Sequence, residues 1–279
     1  MRHILLACTI IWNVSLLAQN TAVPTATVSS KKLKGNFYAM FGYTRAEYSR
    51  STIHFVNRSN TYYPETGRYH NYDFTIYDAK AHDRPDFDQI PDVINITIPQ
   101  FVVRGGYYFN NKKDFGIEIN YDHTKYVVDD YQKVRVKGDF NGEYVDKDTI
   151  LDPANFVHFE HTDGANFWMI NFLKRWKIYN PSKYFNVGLV AKPGAGIVFP
   201  RTDVTIYGTR LNNNWHVAGW IVGVEGGLRA EFLKYGVFEF MGKGSFADYT
   251  TCLVLGKGNG KARHHFFTAQ ATMTIGFMF

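Results

Sequence analysis

The composition of the chain excludes several classes of protein. The sequence has 279 residues, of which 45% are hydrophobic, 20% charged and 17% aromatic, and its formal net charge at pH 7 is +6. A high aromatic content with charges of both signs excludes a disordered, collagen-like or coiled-coil chain. The mean hydropathy of −0.27 is too low for a bundle of membrane helices, so the protein is expected to present aromatic surface without long apolar helices.

The beginning of the chain has the features of a signal peptide. A basic residue precedes an apolar run from Ile4 to Ala18, which is too short and too interrupted to anchor the chain in a bilayer. We therefore predict a signal peptide at residues 1–18 and a flexible leader at residues 19–35. Once the signal peptide is removed, Cys252 is the one remaining thiol, so no intrachain disulfide is expected.

Eight later segments alternate between apolar and polar residues with a period of two. No later segment has the ~18 to 20 consecutive apolar residues of a spanning helix. Alternation of this kind is typical of strands that face lipid on one side and a polar interior on the other. The predicted strands are Asn36–Tyr48, Thr97–Phe109, Phe115–Val127, Ala165–Ile178, Tyr184–Phe199, Trp215–Phe232, Gly236–Tyr249 and His265–Phe279.

The connections between these segments are of two kinds. Short turns join the second strand to the third, the fourth to the fifth and the sixth to the seventh, whereas the other connections are long, at residues 49–96, 128–164, 200–214 and 250–264. Short turns at one end and long loops at the other are the layout of an outer-membrane barrel. Residues 36–279 are therefore predicted to form an all-β domain, an eight-stranded antiparallel up-and-down transmembrane β-barrel with short periplasmic turns and long extracellular loops.

The last strand carries the clearest motif. Its closing residues 271–279 read Ala-Thr-Met-Thr-Ile-Gly-Phe-Met-Phe. In this motif, and in the layout of residues 36–279, the chain resembles the small outer-membrane β-barrels of Gram-negative bacteria, and its predicted signal peptide is similar to those of Bacteroidota. The resemblance implies a place in the bacterial outer membrane, in contact with its lipid and lipopolysaccharide. It also implies that Ile275, Phe277 and Phe279 form the signal read by the barrel-assembly machinery.

Charged residues lie on the polar face of the predicted strands. Five are positive and five negative, so their charges cancel. Because the interior of an eight-stranded barrel is narrow enough for side chains to fill it, we expect these charges to pair with one another and to leave no wide pore. They are Arg104, Glu118, Asp122, Arg175, Lys192, Glu225, Arg229, Glu231, Glu239 and Lys243.

Histidine and aspartate residues lie where the third and fourth predicted strands meet the long loops. Counting with a period of two places Asp122, His161 and Asp163 inward and predicts one polar cluster with Arg104 nearby, next to His123. A histidine oriented by a carboxylate is the acid/base pair of a hydrolase. Some eight-stranded outer-membrane barrels are lipid A acyl hydrolases or acyltransferases, which makes His161, Asp163, Asp122 and His123 candidate catalytic residues. No motif such as G-x-S-x-G supplies a nucleophile, and a structural hydrogen-bond cluster is the favoured interpretation.

Other ligands are less well supported by the sequence. The same cluster, with His82 and Asp83, offers oxygen and imidazole ligands for one divalent ion, but their spacing is not fixed, so neither a metal nor a cofactor is predicted. The basic, glycine-rich residues 256–265 are suited to the phosphates of lipopolysaccharide. Export argues against a nucleic-acid partner.

The favoured function is therefore that of a non-enzymatic surface protein. Its long first and second loops are predicted to bind an unidentified extracellular ligand or a neighbouring envelope protein. A lipid A or phospholipid acyl hydrolase or acyltransferase at the outer rim is the first alternative, and a narrow channel is the second.

Overall fold

The computed structural model describes residues 37–84, 100–109, 114–161 and 163–279, in which every strand pairing is antiparallel. The predicted signal peptide and leader lie outside these residues. No helix in the described part of the chain has the length and hydropathy of a membrane span. The strands are β1 (Phe37–Tyr48), β2 (Ser51–Tyr63), β3 (Arg68–Ala79), β4 (Ala81–His82), β5 (Phe101–Tyr108), β6 (Phe115–Asp122), β7 (Tyr126–Val128), β8 (Lys133–Phe140), β9 (Glu143–Ile150), β10 (Val157–His161), β11 (Phe167–Ser182), β12 (Phe185–Val198), β13 (Asp203–Ile206), β14 (Thr209–Asn212), β15 (Gly219–Phe232), β16 (Gly236–Leu253) and β17 (Lys261–Met278).

Eight of these strands pair in a cycle that closes on itself. Each strand of the series β1, β5, β6, β11, β12, β15, β16 and β17 pairs with the next. β17 then pairs with β1 from Tyr38↔Met278 to Tyr48↔Thr268. Each of the eight segments predicted from the sequence overlaps one strand of this cycle, which we call the ring.

The two faces of the ring have opposite polarity. Along β17, polar residues from Thr268 to Thr274 are buried at every second position, while the apolar residues between them are exposed. The same inversion recurs on the other strands, where ionised side chains are buried and large apolar side chains are exposed. Examples of the exposed apolar residues are Phe41, Val103, Ile119, Ile170, Phe172, Leu189, Val224, Leu228, Phe240 and Ile275.

Where the structure describes them, the long connections are largely β-structure, which corrects the prediction of long loops. β2 pairs with the end of β17 at Arg263↔His54, so the sheet continues beyond the ring in the order β17-β2-β3-β8-β9. A second sheet has the order β14-β13-β10-β7-β4. The predicted loop 250–264 is reduced to residues 254–260, because β16 and β17 extend to either side of it.

These connections fold because they also have an apolar face to bury. Ile53 and Phe55 of β2 and Phe74 of β3 alternate with polar residues and are almost fully buried. They share one hydrophobic core with Phe159 of the second sheet and with inward residues of the ring such as Phe167. The core therefore extends from the outer sheets into the interior of the ring, where it packs beside the buried charges.

Candidate functional site

The ten charges predicted on the polar face are all buried in the ring. Each exposes 7% or less of its surface. Two of their pairs connect strands that are not neighbours in the sheet: Arg104 Nη1 of β5 lies 2.6 Å from Glu225 Oε1 of β15, and Lys243 Nζ of β16 lies 2.6 Å from Asp122 Oδ2 of β6. These two pairs therefore cross the interior of the ring.

The remaining pairs join these charges into a continuous network. Lys192 donates to Glu118 Oε2 at 2.9 Å and to Glu239 Oε2 at 2.7 Å. Arg229 donates to Glu239 Oε1 at 2.9 Å and to Glu231 Oε1 at 3.1 Å. Glu231 also accepts from Arg175. Because each of these buried charges lies beside one of opposite sign, the network is a self-neutralising interior.

Tyr38 extends this network from β1. Its hydroxyl donates to Glu118 Oε2 at 2.6 Å, and the Arg229 guanidinium lies 4.3 Å from the centre of its ring. Tyr38 pairs with Gly106, where a Cβ atom would lie 2.2 Å from the Tyr38 ring. Gly106 is therefore the residue that lets the tyrosine lie flat across the neighbouring strand and reach Glu118.

The residues predicted to form the rim cluster are separated into different contacts. Asp122 accepts hydrogen bonds from Lys243 and from Asn120 Nδ2 at 2.7 Å. Asp163 pairs with Arg201 Nη1 at 2.6 Å and is 41% exposed at its side chain. Arg104 contacts acidic side chains of the ion network. In the described residues it has no contact with His161 or Asp163. The predicted single cluster is thus replaced by separate contacts.

A turn explains why the predicted inward orientation of Asp163 is wrong, whereas His161 is buried. Counting along the fourth predicted strand with Phe167 and Met169 assumes one strand through residues 161–169, but β11 begins at Phe167 and His161 ends β10 of the second sheet. Between them Gly164 and Asn166 have φ angles of 104° and 44° and belong to no strand. These angles turn the backbone, so the period-two count cannot cross this segment.

The other candidate residues also have separate partners. His123 Nδ1 lies 2.7 Å from Asn166 Oδ1, and His82 Nδ1 lies 2.5 Å from Asp129 Oδ1. Asp83 accepts from the backbone N–H of Ala46 at 2.9 Å. The oxygen-rich divalent site considered from the sequence therefore does not converge in the described residues.

His161 instead faces two residues that the sequence did not single out as a site. Its Nε2 lies 3.1 Å from His264 Nε2 and 3.8 Å from Cys252 Sγ. All three residues are buried, and burial lowers the pKa of His161 to about 3. The period-two pattern of β17 could have placed His264 inward. Burial excludes substrate from this Cys–His pair, so it is not arranged for acyl transfer.

A tyrosine-rich surface on the outer sheet was also missed. Tyr62 pairs with Tyr69, Tyr77 with Arg135, and Asp139 with Tyr144. Directly paired residues share a face, and following the pairs from β3 through β8 to β9 places these four tyrosines on one face of the sheet. Each is at least 40% exposed. We call the surface formed by Tyr62, Tyr69, Tyr77 and Tyr144 the tyrosine face.

Charged residues lie between the tyrosines. Arg135 pairs with Asp146 at 2.7 Å and with Asp148 at 3.7 Å, and Arg58 pairs with Asp73 at 2.6 Å. This surface therefore combines rigid aromatic side chains with charges of both signs.

Comparisons with known proteins give structural resemblances. No protein-family model matches the sequence, and the comparison with curated proteins gives no match. Neisserial surface protein A is 11% identical with a TM-score of 0.34, covering 87% of this chain and 97% of its own. The attachment invasion locus protein Ail of Yersinia pestis is 10% identical with a TM-score of 0.32, covering 88% and 99%. The outer membrane protease OmpT of Escherichia coli is 11% identical with a TM-score of 0.34, covering 92% and 99%. These low values assign neither a family nor an activity to the chain.

Proposed function

We propose that the protein is an outer-membrane β-barrel whose eight-strand ring spans the bilayer, does not conduct, and carries a folded outer platform for recognition. The short-turn end lies in the periplasm and the outer sheets lie outside the cell. The platform binds an extracellular ligand or a neighbouring envelope protein.

The inverted polarity of the ring is the observation that carries this proposal. Ionised side chains such as Arg104 and Glu239 are buried inside, while Phe41, Ile119 and Phe240 are more than half exposed on the outside. In water such an apolar outer surface is an aggregation hazard. In a bilayer it is the lipid-facing surface of a closed sheet that leaves no hydrogen-bonding edge in the membrane.

Exposed aromatics support two membrane interfaces. Phe37, Trp176, Tyr184 and Phe277 lie exposed toward the short-turn end of the ring. Toward the other end are Trp168, Trp215 and Phe267. Aromatic rings favour the headgroup region. Tyr48, toward the same end, does not face the membrane interface: its ring packs against Phe266 and its hydroxyl donates to the carbonyl of Lys125.

The interior argues against the channel alternative. Its charges neutralise one another across the ring, and the hydrophobic core fills the side toward the outer sheets. Ions crossing it would have to break paired buried charges, which is strongly unfavourable.

The tyrosine face supports a recognition role for the platform. Tyrosine supplies contact area with little conformational entropy to lose, and it is enriched at recognition surfaces. The continuous pairing of β17 with β2 attaches this surface to the ring.

Fractionation with heat-modifiable gel migration, followed by planar-bilayer recording, tests the barrel. We expect the mature protein in the outer-membrane fraction, a shift in migration on boiling, and no discrete conductance steps. A mature chain that stays monodisperse without detergent contradicts the barrel, and regular single-channel steps contradict the closed interior.

Photo-crosslinking in intact cells tests the recognition surface. A photoreactive residue in place of Tyr69 is expected to give a discrete crosslinked species, whereas the same residue in place of Tyr131, which is 67% exposed outside this face, is not. Identical patterns at both positions, or none at Tyr69, would remove the support for the tyrosine face.

A further inference from the structure

Two imidazoles and one thiol converge in a buried cluster beside the ring. The nearest ligand atoms of His161, Cys252 and His264 all lie within 4.8 Å of one another. Each of the three residues is 2% exposed or less. The described contacts of the interior ion network do not include these residues.

Hydrogen bonds and stacking hold the two imidazoles in orientation. Nδ1 of His161 lies 3.1 Å from Thr202 Oγ1, and Nδ1 of His264 lies 3.4 Å from Ser51 Oγ. The Tyr249 ring stacks on both imidazoles, with centroids 4.9 Å apart in each case. Ligating histidines are typically fixed in this way through the nitrogen that does not face the metal.

A β-bulge directs the thiol into the cluster. The pairing of β16 with β17 shifts register between Tyr249 and Cys252, and the amides of Thr250 and Thr251 both donate to the carbonyl of Ala218. Tyr249 and Cys252 therefore face the same buried side although they are three residues apart. Bulges commonly redirect a side chain beside a functional site.

We propose that His161, Cys252 and His264 form a three-coordinate site for a monovalent copper ion. Using ordinary metal–nitrogen and metal–sulfur lengths of about 2.0 and 2.3 Å, the 3.1 Å N···N separation corresponds to an angle of about 100° at the ion. The 3.8 Å N···S separation corresponds to about 120°. Both angles suit an ion bound by two nitrogens and one sulfur. The third pair of ligand atoms, in His264 and Cys252, lies within 4.8 Å and must come within about 4.3 Å, the sum of the two bond lengths, so binding draws these two side chains together by up to about half an ångström.

Charge and ligand number favour Cu⁺ over Zn²⁺. Binding breaks the S–H bond of Cys252 and releases its proton, and the proton between the two Nε2 atoms moves to Nδ1 of the same imidazole, where a hydroxyl oxygen can accept it. One Cu–S and two Cu–N bonds form without a change in oxidation state. The thiolate then balances the single charge of Cu⁺, whereas a divalent ion would leave a net positive charge among buried aromatic rings. Thiolate and imidazole ligands suit Cu⁺, and structural zinc prefers four ligands.

Copper titration of the full mature chain in detergent micelles tests this site. Cu⁺ is supplied under anaerobic, reducing conditions, both during refolding and after it, in competition with a chromogenic Cu⁺ chelator. We expect one tightly bound Cu⁺ per chain and an X-ray absorption spectrum with one sulfur and two nitrogen ligands. Cys252→Ala and His264→Leu should each weaken binding at least tenfold.

A matched control separates loss of ligands from loss of folding. His70 is also buried but bonds to Thr209 Oγ1 at 2.9 Å, so His70→Leu should retain copper binding. Heat-modifiable migration shows whether each variant is folded. The proposal is overturned if the folded wild-type protein binds no more Cu⁺ than Cys252→Ala, because the two imidazoles then share only a proton. It is also overturned if Zn²⁺ displaces Cu⁺ at equal concentration.

Discussion

Lys243 and Asp122 form an ion pair across the interior of the ring, from strands that are not neighbours in the sheet. Lys243 Nζ lies 2.6 Å from Asp122 Oδ2, and the side chains are 2% and 0% exposed. The negative charge of the buried Asp122 carboxylate is therefore balanced by this lysine. Hydrogen bonds from Asn120 and Gln270 stabilise it further.

Lys243→Met is expected to destabilise the protein by about 3 to 5 kcal/mol, because it leaves a buried carboxylate without its cation. The measurement is urea unfolding in lipid vesicles, followed by tryptophan fluorescence. Adding Asp122→Asn to this variant should recover part of the loss. The control Lys133→Met breaks an exposed pair with Asp148 and should change stability by less than about 1 kcal/mol. Equal effects of the two single variants would contradict a buried network.

Gly106→Ala should destabilise the protein by about 1 to 3 kcal/mol, because the new Cβ overlaps the Tyr38 ring. The neighbouring Gly105 faces open space, so Gly105→Ala is the matched control and should be neutral or slightly stabilising. The unfolding midpoints of the two variants, measured under the same conditions, test this prediction. If both substitutions are neutral, Tyr38 does not need to cross Gly106.

His158 should make the outer sheets less stable at alkaline pH. Burial lowers the pKa of His158, but the hydrogen bonds that its imidazolium donates to Glu160 and Asp130 outweigh this effect and raise the pKa to about 9. This folded-state pKa lies above the unfolded-state value of about 6.5. The stabilisation by His158 is therefore fully present below a pH of about 6.5. It is lost as the pH rises toward 9.

The expected loss between pH 6.5 and 9 is on the order of 2 kcal/mol, measured from urea midpoints at both pH values. His158→Gln should flatten this dependence. A variant with the same pH slope as the wild type would show that another group is responsible.

The strands of the ring could be predicted because polar and apolar residues alternate along them. β17 alternates from Phe267 to Phe279 without interruption, so its inward and outward residues follow from counting. The same counting placed Arg104 and Lys243 among the buried charges. Their partners did not follow from the sequence, because contacts across the interior depend on the three-dimensional closure of the ring.

The outer strands carry a similar pattern. Ile53 and Phe55 are separated by the polar His54, but their segment lies within a long connection, for which the layout of the connections predicts a loop. The sequence does not show that Phe74 and Phe159 bury this face.

The cluster around His161 could not be predicted by counting. The positive φ angles of Gly164 and Asn166 end one strand and begin another, and a bulge turns Cys252 inward. Both are local backbone events that interrupt a period of two.

Changing Phe277 and Phe279 to Ser should reduce insertion into the outer membrane while export continues. The last strand must present an apolar outer face, pair with β1 and be recognised during assembly. Quantification of folded protein in outer-membrane fractions checks this. Phe267→Ser, at the other end of the same strand, is the control and should retain most assembly, whereas normal levels of the double variant would contradict the assembly signal.

Nitroxide scanning of residues 268–277 of β17 in lipid vesicles tests the central claim most directly. In a Cys252→Ala background, labels at the odd positions, from Ala269 to Phe277, should be accessible to oxygen dissolved in the bilayer. Labels at the even positions should be shielded from both oxygen and a water-soluble nickel complex. This period of two is the result expected of a ring with lipid outside and a packed, neutralised interior. Odd-position labels that the nickel complex reaches as readily as a label at Tyr144 would contradict it.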